Sequence, residues 1–517
     1  MTLPNLLTNQ SAASLAHKIV SSEQVRRFES EAALAVGCTL YELMQRAGKA
    51  AFEVLCSHWP EVTRILVVAG NGNNAGDGYI LATLAKLKGM KVVIACENPS
   101  RLLSGSARQA QQEWVQAGGM TVSFSEAVFD GIELVVDALL GTGVSGPVKE
   151  SFQKLIVKLN NAQRQVLSLD LPSGMNADTG APLPICVAAD VTITFVAIKP
   201  GLVTGKAKSL CGGLEYDDLG IGESFFRLVK PQGNIVNWKM LQTLAPRAVH
   251  ANKGHFGKLL CVGGNLGMSG AIRLSSEAAL RSGTGLVKVF CHESSALAVS
   301  TTRPELMVST SHLTEALDWC TSIIIGPGLG TDEWAKQQFK TVIAHVKEHN
   351  KPIVIDADGL NLLALNADNI QDDIAGLSHC VLTPHPGEAS RLLNESVQEV
   401  EADRYTSCKA LANTFQATCL LKGAGTVICS ASHKVTGLAS HWICDGGNPG
   451  MATAGMGDVL TGIIGSFLAQ GMQVEQGAVY GTCAHAQAGD KVAREYGERG
   501  MMASDLLPAL RATINNL

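Results

Sequence analysis

The sequence lacks a marked excess of either charge. Its 41 Lys and Arg stand against 46 Asp and Glu, a formal net charge of −5. Nothing electrostatic therefore singles out nucleic acid or an anionic membrane surface as the main partner. No uninterrupted apolar run is long enough to cross a bilayer, and the opening segment MTLPNLLTNQSAASLAHKIV has no charged leader ahead of an apolar stretch; the expectation is a cytoplasmic protein. The 14 cysteines are scattered singly. Without a C-x-x-C pair or a Cys/His cluster at zinc spacing, a disulfide framework and a structural zinc both lack support, and most thiols read as small buried apolar residues. H-E-x-x-H, G-x-S-x-G and a complete Walker A motif are also missing, which removes common metalloprotease, hydrolase and P-loop readings. There is no short-period repeat and no low-complexity tract.

What is present is length, apolar content and glycine. A chain of 517 residues exceeds what one core usually serves, so at least two domains are expected. With 46% hydrophobic and 17% charged residues and 53 glycines, the chain reads as compact and rich in turns. In the first half, short apolar runs at Ile65–Ala69, Lys91–Ala95, Glu133–Leu139, Val166–Leu169 and Val191–Phe195 alternate with helix-compatible stretches. The second half repeats the rhythm at Lys258–Val262, Leu286–Phe290, Ser322–Ile325, Pro352–Ile355, Cys380–Leu382 and Thr418–Leu421. Each half thus predicts an α/β fold with a mostly parallel, helix-covered sheet, and the junction falls around Gly222–Pro246.

Ligands of such sheets bind beyond the carboxyl ends of the strands, so the polar residues that follow each apolar run are the candidate site residues. In the first half these are the loop Gly70–Gly78, Asp137 with the loop Gly141–Pro147, and Asp170 to Ser173. The first loop is glycine-rich, carries Asn73, Asn74 and Asp77, and suits a phosphate-bearing ligand, with an Asn- or Asp-capped turn as the plain alternative. Gly141–Gly146 also fits G-x-G-x-x-G, with Asp170 at about the distance expected of a dinucleotide fingerprint, so an ordinary dehydrogenase is a rival reading. The oxygen-bearing trio Asn74, Asp137 and Ser173 would suit a hard cation, although each alone reads as a cap or turn residue.

The ordered set N-N-A-G-D-G, D-A-L-L-G-T-G-V-S-G-P and D-L-P-S-G resembles the epimerase domain of bifunctional NAD(P)H-hydrate repair enzymes over about the first 220 residues. The resemblance implies a Rossmann-like domain over residues 1–225. Substrate contacts would come from Asn73, Asn74, Ala75, Gly76 and Asp77, from Gly141, Thr142, Gly143, Val144, Ser145, Gly146 and Pro147, and from Asp170 as acid/base. It also implies potassium held by Asn74, Asp137 and Ser173. Ala75 stands where the family often has glycine, which raises the question of a positive φ there.

In the second half, Gly446–Asp458 is followed by the apolar helical pattern Val459–Leu468. Backbone N–H groups at such a helix start can hold a phosphoryl group, and Asp458 is placed either to act as a base beside it or to cap the helix. The loop and sheet resemble the ribokinase-like superfamily. G-G-N-L-G-M-S-G-A, G-P-G-L-G, D-A-D-G-L, T-P-H-P-G-E and L-K-G-A-G-T, together with A-G-M-G-D, narrow the resemblance to the NAD(P)H-hydrate dehydratase branch over about Leu241–Leu517. It implies a three-layer ribokinase-like domain over residues 240–517. Ala271, Gly328, His385 and Asp458 would contact hydrated cofactor. Lys422, Gly423, Ala424, Gly425, Thr426 and Gly457 would contact the nucleotide.

Resemblance to bacterial fused members implies ADP as phosphoryl donor, with Mg2+, giving AMP and phosphate. The implied partners are small molecules, hydrated NADH or NADPH and ADP or AMP, with no nucleic acid and no membrane, and the chain is implied to form a homo-oligomer such as a tetramer. His385 before proline could also be a turn residue and Lys422 a solvated charge, while Asp356 and Asp358 read as weaker candidates because D-A-D-G can simply start a turn. A fused small-molecule kinase and a cofactor sensor remain the alternatives in function, separated from a repair enzyme by whether product accumulates phosphorylated, or no turnover occurs.

Overall fold

The computed structural model describes residues 6–8, 14–144, 146–301, 303–365, 379–431 and 441–517. The chain divides into two compact units, Ser14–Asn234 and Ile235–Leu517, the latter joined by the start of the chain. Leu6 and Leu7 are buried, and the Leu6 and Met240 carbonyls accept from the Gln242 and Thr8 amides.

The seven-stranded sheet of the first unit is parallel throughout, in the order Met120–Ser123, Lys91–Cys96, Arg64–Ala69, Leu134–Ala138, Gln165–Leu169, Val191–Phe195 and Gly213–Asp217. The interior strands RILVVA and LVVDA are buried on both faces, as a parallel sheet covered by helices requires. The edge strands MTVS and GLEYD are half-buried and mixed in polarity, which is why the apolar-run reading passes over them. Strand order reverses between Arg64–Ala69 and Leu134–Ala138, and the crevice beyond the carboxyl ends of that pair is where such a sheet receives a ligand. The helix Gly222–Leu228 belongs to this unit: Phe225 is buried and the Ser224 hydroxyl donates to the Ala32 carbonyl.

The sheet of the second unit runs Met307–Ser309, Leu286–Phe290, Lys258–Val262, Ser322–Ile325, Ile353–Ile355, Cys380–Leu382 and Thr418–Leu421, all parallel. Two antiparallel strands, Thr426–Ser430 and His441–Cys444, continue it. Alternate residues serve opposite faces: Cys261, Ile324 and Val354 pack under the helices Ser269–Arg281, Met456–Ala469 and Val474–Tyr496, while Leu260, Ile323 and Ile355 pack under Glu333–His349, Asp358–Leu365 and Arg404–Phe415.

The helix Met456–Ala469 is apolar almost all round and lies in the centre of its layer. Each fully buried side chain there, such as Ile463 or Phe467, contributes about 1.5–3 kcal/mol by leaving water. Gly462 permits the approach, since a Cβ at that position would stand 2.0 Å from the Ser275 carbonyl oxygen. Among the described residues no helix is long and apolar enough to cross a membrane.

Candidate functional site

In the first unit the helix Asn73–Leu87 begins directly at the reversal point, and its cap, Gly72, has no side chain to satisfy the first amides. Those N–H groups stay available to an anionic ligand. The Asn74 amide nitrogen donates to the Leu140 carbonyl at 2.8 Å, across the crevice between the two strand ends. Asp137 is fully buried and accepts from the Ser173 amide at 2.8 Å, from the Ser173 hydroxyl and from the Ser168 hydroxyl at 2.9 Å. The Ser173 hydroxyl in turn accepts from the Leu140 amide at 2.8 Å. Asn74, Asp137 and Ser173 are therefore knitted together through Leu140. Burial pushes the Asp137 carboxyl up, against the pull of its hydrogen bonds from Ser173, Ser168 and Leu139. The Asn74 side-chain oxygen is buried without a hydrogen-bond partner. An all-oxygen set with one unsatisfied buried oxygen fits a hard monovalent cation better than a soft one.

Asp170 closes the strand Gln165–Leu169 in the left-handed region, at φ 67°. Its carboxylate accepts from Lys199 and, at 3.3 Å, from the Thr194 hydroxyl. Lys199 is 1% exposed and also donates to Thr194 at 3.0 Å and to the Phe195 carbonyl at 2.9 Å. Two further carboxyls feel this pair. Glu29 is raised to about 7, by burial first and then by the Asp170 charge, with Lys199 opposing. Asp77 is pushed well above its ordinary range by burial, then by Asp170 and Glu29. Asp170, Glu29 and Asp77 thus gather near the Lys199 ammonium, and the two raised carboxyls mark the group as a candidate for acid/base chemistry.

The structure thus brings Asp77 and Asp170 together and seats Gly141 against Asn74, where a Cβ would come within 3.2 Å of the Asn74 Cβ. Asn73 is exposed, Gly76 is buried, and Thr142, Gly143, Val144, Gly146 and Pro147 run through an open loop; Ser145 lies outside the described residues. Two expectations change. Ala75 sits inside the helix Asn73–Leu87 and is not among the residues of positive φ, so alanine carries no backbone cost there. The dehydrogenase reading fails on placement, because the next helix starts at Glu150, four residues after Gly146, whereas a dinucleotide fingerprint needs its glycines to open the helix.

In the second unit, Gly455 caps the helix Met456–Ala469 in the left-handed conformation, at φ 87°, and no side chain satisfies the first amides. Asp458 stands in that first turn. Beside it lies a buried ion pair: Lys422 Nζ donates to Asp356 at 2.8 Å, and the Thr461 hydroxyl donates to the other Asp356 oxygen at 2.6 Å. Lys422 is no solvated surface charge, with a side chain 18% exposed, and Asp356, weak as a sequence candidate, is the hub of the site. Burial works against the Asp356 charge, but the Lys422 ammonium and the hydrogen bonds outweigh it and hold the carboxyl below its ordinary range. Burial likewise works against the Lys422 charge, yet Asp356 and Glu388 keep its pKa raised.

Gly457 adjoins the pair, since a Cβ there would lie 3.2 Å from Lys422 Nζ. Asp458 is raised to about 7, by burial first and then by the Asp356 charge, with Lys422 opposing. Glu388 is also raised to about 7, by burial, with Lys422 opposing and Asp356 adding.

His385 caps the helix Pro386–Leu393: its Nδ1 accepts from the Gly387 and Glu388 amides at 3.0 and 3.3 Å, and Glu388 accepts from the His385 amide at 2.8 Å. Burial first, then Lys422, lowers its pKa. Gly328 and Ala271 adjoin, a Cβ on Gly328 falling 3.3 Å from that of Ala271, and Asp358 ties this loop to the Asp356 strand end by accepting from the Gly330 amide at 2.8 Å. Gly423, Ala424 and Gly425 form the turn between two antiparallel strands; the Thr426 hydroxyl donates to the Gly423 carbonyl at 3.0 Å. Arg404, 1% exposed, braces this turn by donating to the Leu421 and Lys422 carbonyls, both at 3.1 Å.

Residues without a sequence signal also belong to these sites. Lys199 follows a strand and obeys the strand-end rule, but Glu29 lies on a helix ahead of the sheet, and Thr461 and Arg404 sit in otherwise ordinary helices. A cavity of about 960 Å³ lined by Arg247, His255, Arg281, Arg303 and Gln470 contains none of the residues above.

The raised Asp458 carboxyl carries a pH prediction. A carboxyl that serves as a base acts only when ionised, so a reaction in which Asp458 takes the proton should speed up with pH through about 7 and then level. A kcat/KM profile flat across that interval would remove Asp458 from the role.

Two doubly wound units, each with titratable side chains gathered beyond its strand ends, define a two-domain α/β enzyme of the nucleotide-handling class. Residues 259–511 match the family model described as NAD(P)H-hydrate dehydratase, and residues 40–201 the one described as YjeF-related protein N-terminus. The chain is 42% identical over 505 residues to the bifunctional NAD(P)H-hydrate repair enzyme Nnr of Escherichia coli (strain K12), covering 97% of this chain and 95% of that one. The Coxiella burnetii enzyme of the same name is 43% identical, over 96% of this chain and 99% of its own. A solved ADP/ATP-dependent NAD(P)H-hydrate dehydratase from Bacillus subtilis, co-crystallised with ATP and Mg2+, is similar over 53% of this chain and 94% of its own, at 26% identity and a TM-score of 0.44. The chain belongs to the family of bifunctional NAD(P)H-hydrate repair enzymes.

Proposed function

We infer that this chain repairs hydrated NADH and NADPH. The first unit interconverts the R and S hydrates, and the second dehydrates the S hydrate, coupled to conversion of ADP to AMP and phosphate. The observation that carries the second activity is the uncapped helix start at Gly455 with Asp458, a carboxyl titrating near neutrality, in its first turn. The hydrate bears a hydroxyl at C6, next to the ring nitrogen, and hydroxide leaves poorly. Asp458 takes the hydroxyl proton as the oxygen attacks the terminal phosphorus of ADP, and AMP departs. The free amides of the helix start hold the transferring phosphoryl group. The ring-nitrogen lone pair then expels phosphate from C6, and a C5 proton leaves to restore the double bond. Lys422, anchored by Asp356, faces the nucleotide phosphates together with the turn Gly423 to Gly425. Mg2+ bound with the nucleotide would supply charge neutralisation at its phosphates.

In the first unit Asp170, held by Lys199, is the acid/base group, with Glu29 and Asp77 as its proton reservoir. Asn74, Asp137 and Ser173 would hold potassium, which supplies a fixed positive charge beside the substrate. The test of both activities is one incubation of mixed hydrate epimers with ADP or ATP, followed by the recovery of NADH absorbance and by the fate of phosphate. Stable phosphorylated hydrate, or binding without recovery, would overturn the reading, and clear preference for ATP would overturn the donor.

The Asp170→Asn variant should give a biphasic trace in that assay. A rapid nucleotide-dependent phase consumes the competent epimer, and a slow phase follows at the rate of spontaneous epimerisation. Loss of both phases in a folded protein would contradict the assignment of Asp170 to epimerisation alone.

A further inference from the structure

At the opposite end of the second unit's sheet from Asp356 and Asp458, a group of side chains has no part in the reaction. The helix Glu333–His349 places His345 and His349 one turn apart in its last turns, where the carbonyl end of a 17-residue helix favours a cation. Their rings stack with centroids 4.1 Å apart and planes 16° from parallel. His349 Nδ1 is engaged with the His345 carbonyl at 3.0 Å, which leaves its Nε2 as the available ligand atom. Asp318, from the helix Leu313–Trp319, brings a carboxylate oxygen to 3.8 Å from His345 Nε2. One ligand atom from each of the three residues lies within 4.8 Å of the others.

The second, independent observation concerns His345 itself. Its side chain is 7% exposed, and its buried Nε2, turned toward Asp318, has no hydrogen-bond partner. A buried nitrogen left without a partner is destabilising, and a metal bond would remove that cost. Lys351 does not occupy the Asp318 carboxylate, because its ammonium is engaged with the backbone carbonyls of Leu317, Asp318 and Cys320.

We propose that Asp318, His345 and His349 form a metal site, distinct from the catalytic centres, for a borderline divalent cation such as Zn2+, Co2+ or Ni2+. Two imidazoles and one carboxylate match the ligand preference of these ions, whereas Mg2+ and Ca2+ favour all-oxygen sets. Water would complete the coordination. The bound ion would fasten the end of the helix Glu333–His349 to the helix Leu313–Trp319.

The test uses the full-length enzyme, stripped with a chelator and free of nucleotide, titrated with Zn2+ against a chromogenic competitor, and then with Co2+ while its visible absorption is followed. His349→Ala and Asp318→Ala alter exposed side chains and should fold. Each is expected to weaken Zn2+ binding at least about tenfold and to remove the Co2+ bands, with repair activity unchanged. Parent-like Zn2+ affinity and Co2+ spectrum in both variants would overturn the site, as would a parent enzyme that binds Zn2+ no tighter than free imidazole does.

Discussion

Asp458→Asn is expected to abolish net repair while leaving epimer interconversion intact. The change nearly preserves side-chain volume and removes only the ability to take a proton, so the loss should be of the order of a general base, about 10²–10⁴-fold in nucleotide-dependent turnover. Because the carboxyl is already raised to about 7, by burial first, the neutral amide should not disturb packing. Chiral separation of the hydrates before and after incubation reads the surviving activity. Normal repair by a pure Asp458→Asn enzyme would dismiss the residue as the base, and loss of both activities would show that the two units are not chemically independent.

Lys422→Met should act on both stability and turnover. It strands the Asp356 carboxylate, whose side chain is 2% exposed, without its ammonium. Breaking a buried pair in this way costs about 3–5 kcal/mol, and the second unit's denaturant transition should shift accordingly. Adding Asp356→Asn removes the stranded charge, so the double variant should regain much of that stability without regaining activity, because no ammonium then faces the nucleotide. If the single variant unfolds like the parent, the pair does not hold the site together; if the double variant turns over normally, Lys422 does not serve the nucleotide.

Both candidate sites follow largely from one rule, that polar residues after buried parallel strands line the crevice where such a sheet receives a ligand. It reaches Asp137, Asp170, Asp356 and Lys422 because each ends a strand, and the apolar runs that mark those strands are the strongest signal in the chain. It ranks Asp356 too low, since the residue's importance rests on Lys422 and Thr461, each distant in sequence. It misses Glu29 for the same reason: on the helix Ser22–Ala35 the residue looks like one more polar position, and only the fold carries it to Asp170 and Lys199. His385 shows the converse. The T-P-H-P-G-E motif draws attention to it, and the structure gives its ring a capping duty while its backbone amide donates to the Glu388 carboxylate. Edge strands escaped because a half-exposed strand need not be apolar.

The close seating of Gly462 on the Ser275 carbonyl ties the evolutionary fates of core and catalyst together. The helix that presents Asp458 cannot slide or tilt without opening a gap at its middle, so Asp458 and the uncapped amides of the helix start inherit their alignment from folding. Any side chain at position 462 would lift the whole helix from Ser275 and displace both together. Sequence drift in this layer is thereby confined to changes that keep the helix where it is, and adaptation to a new substrate would have to come from the surrounding loops.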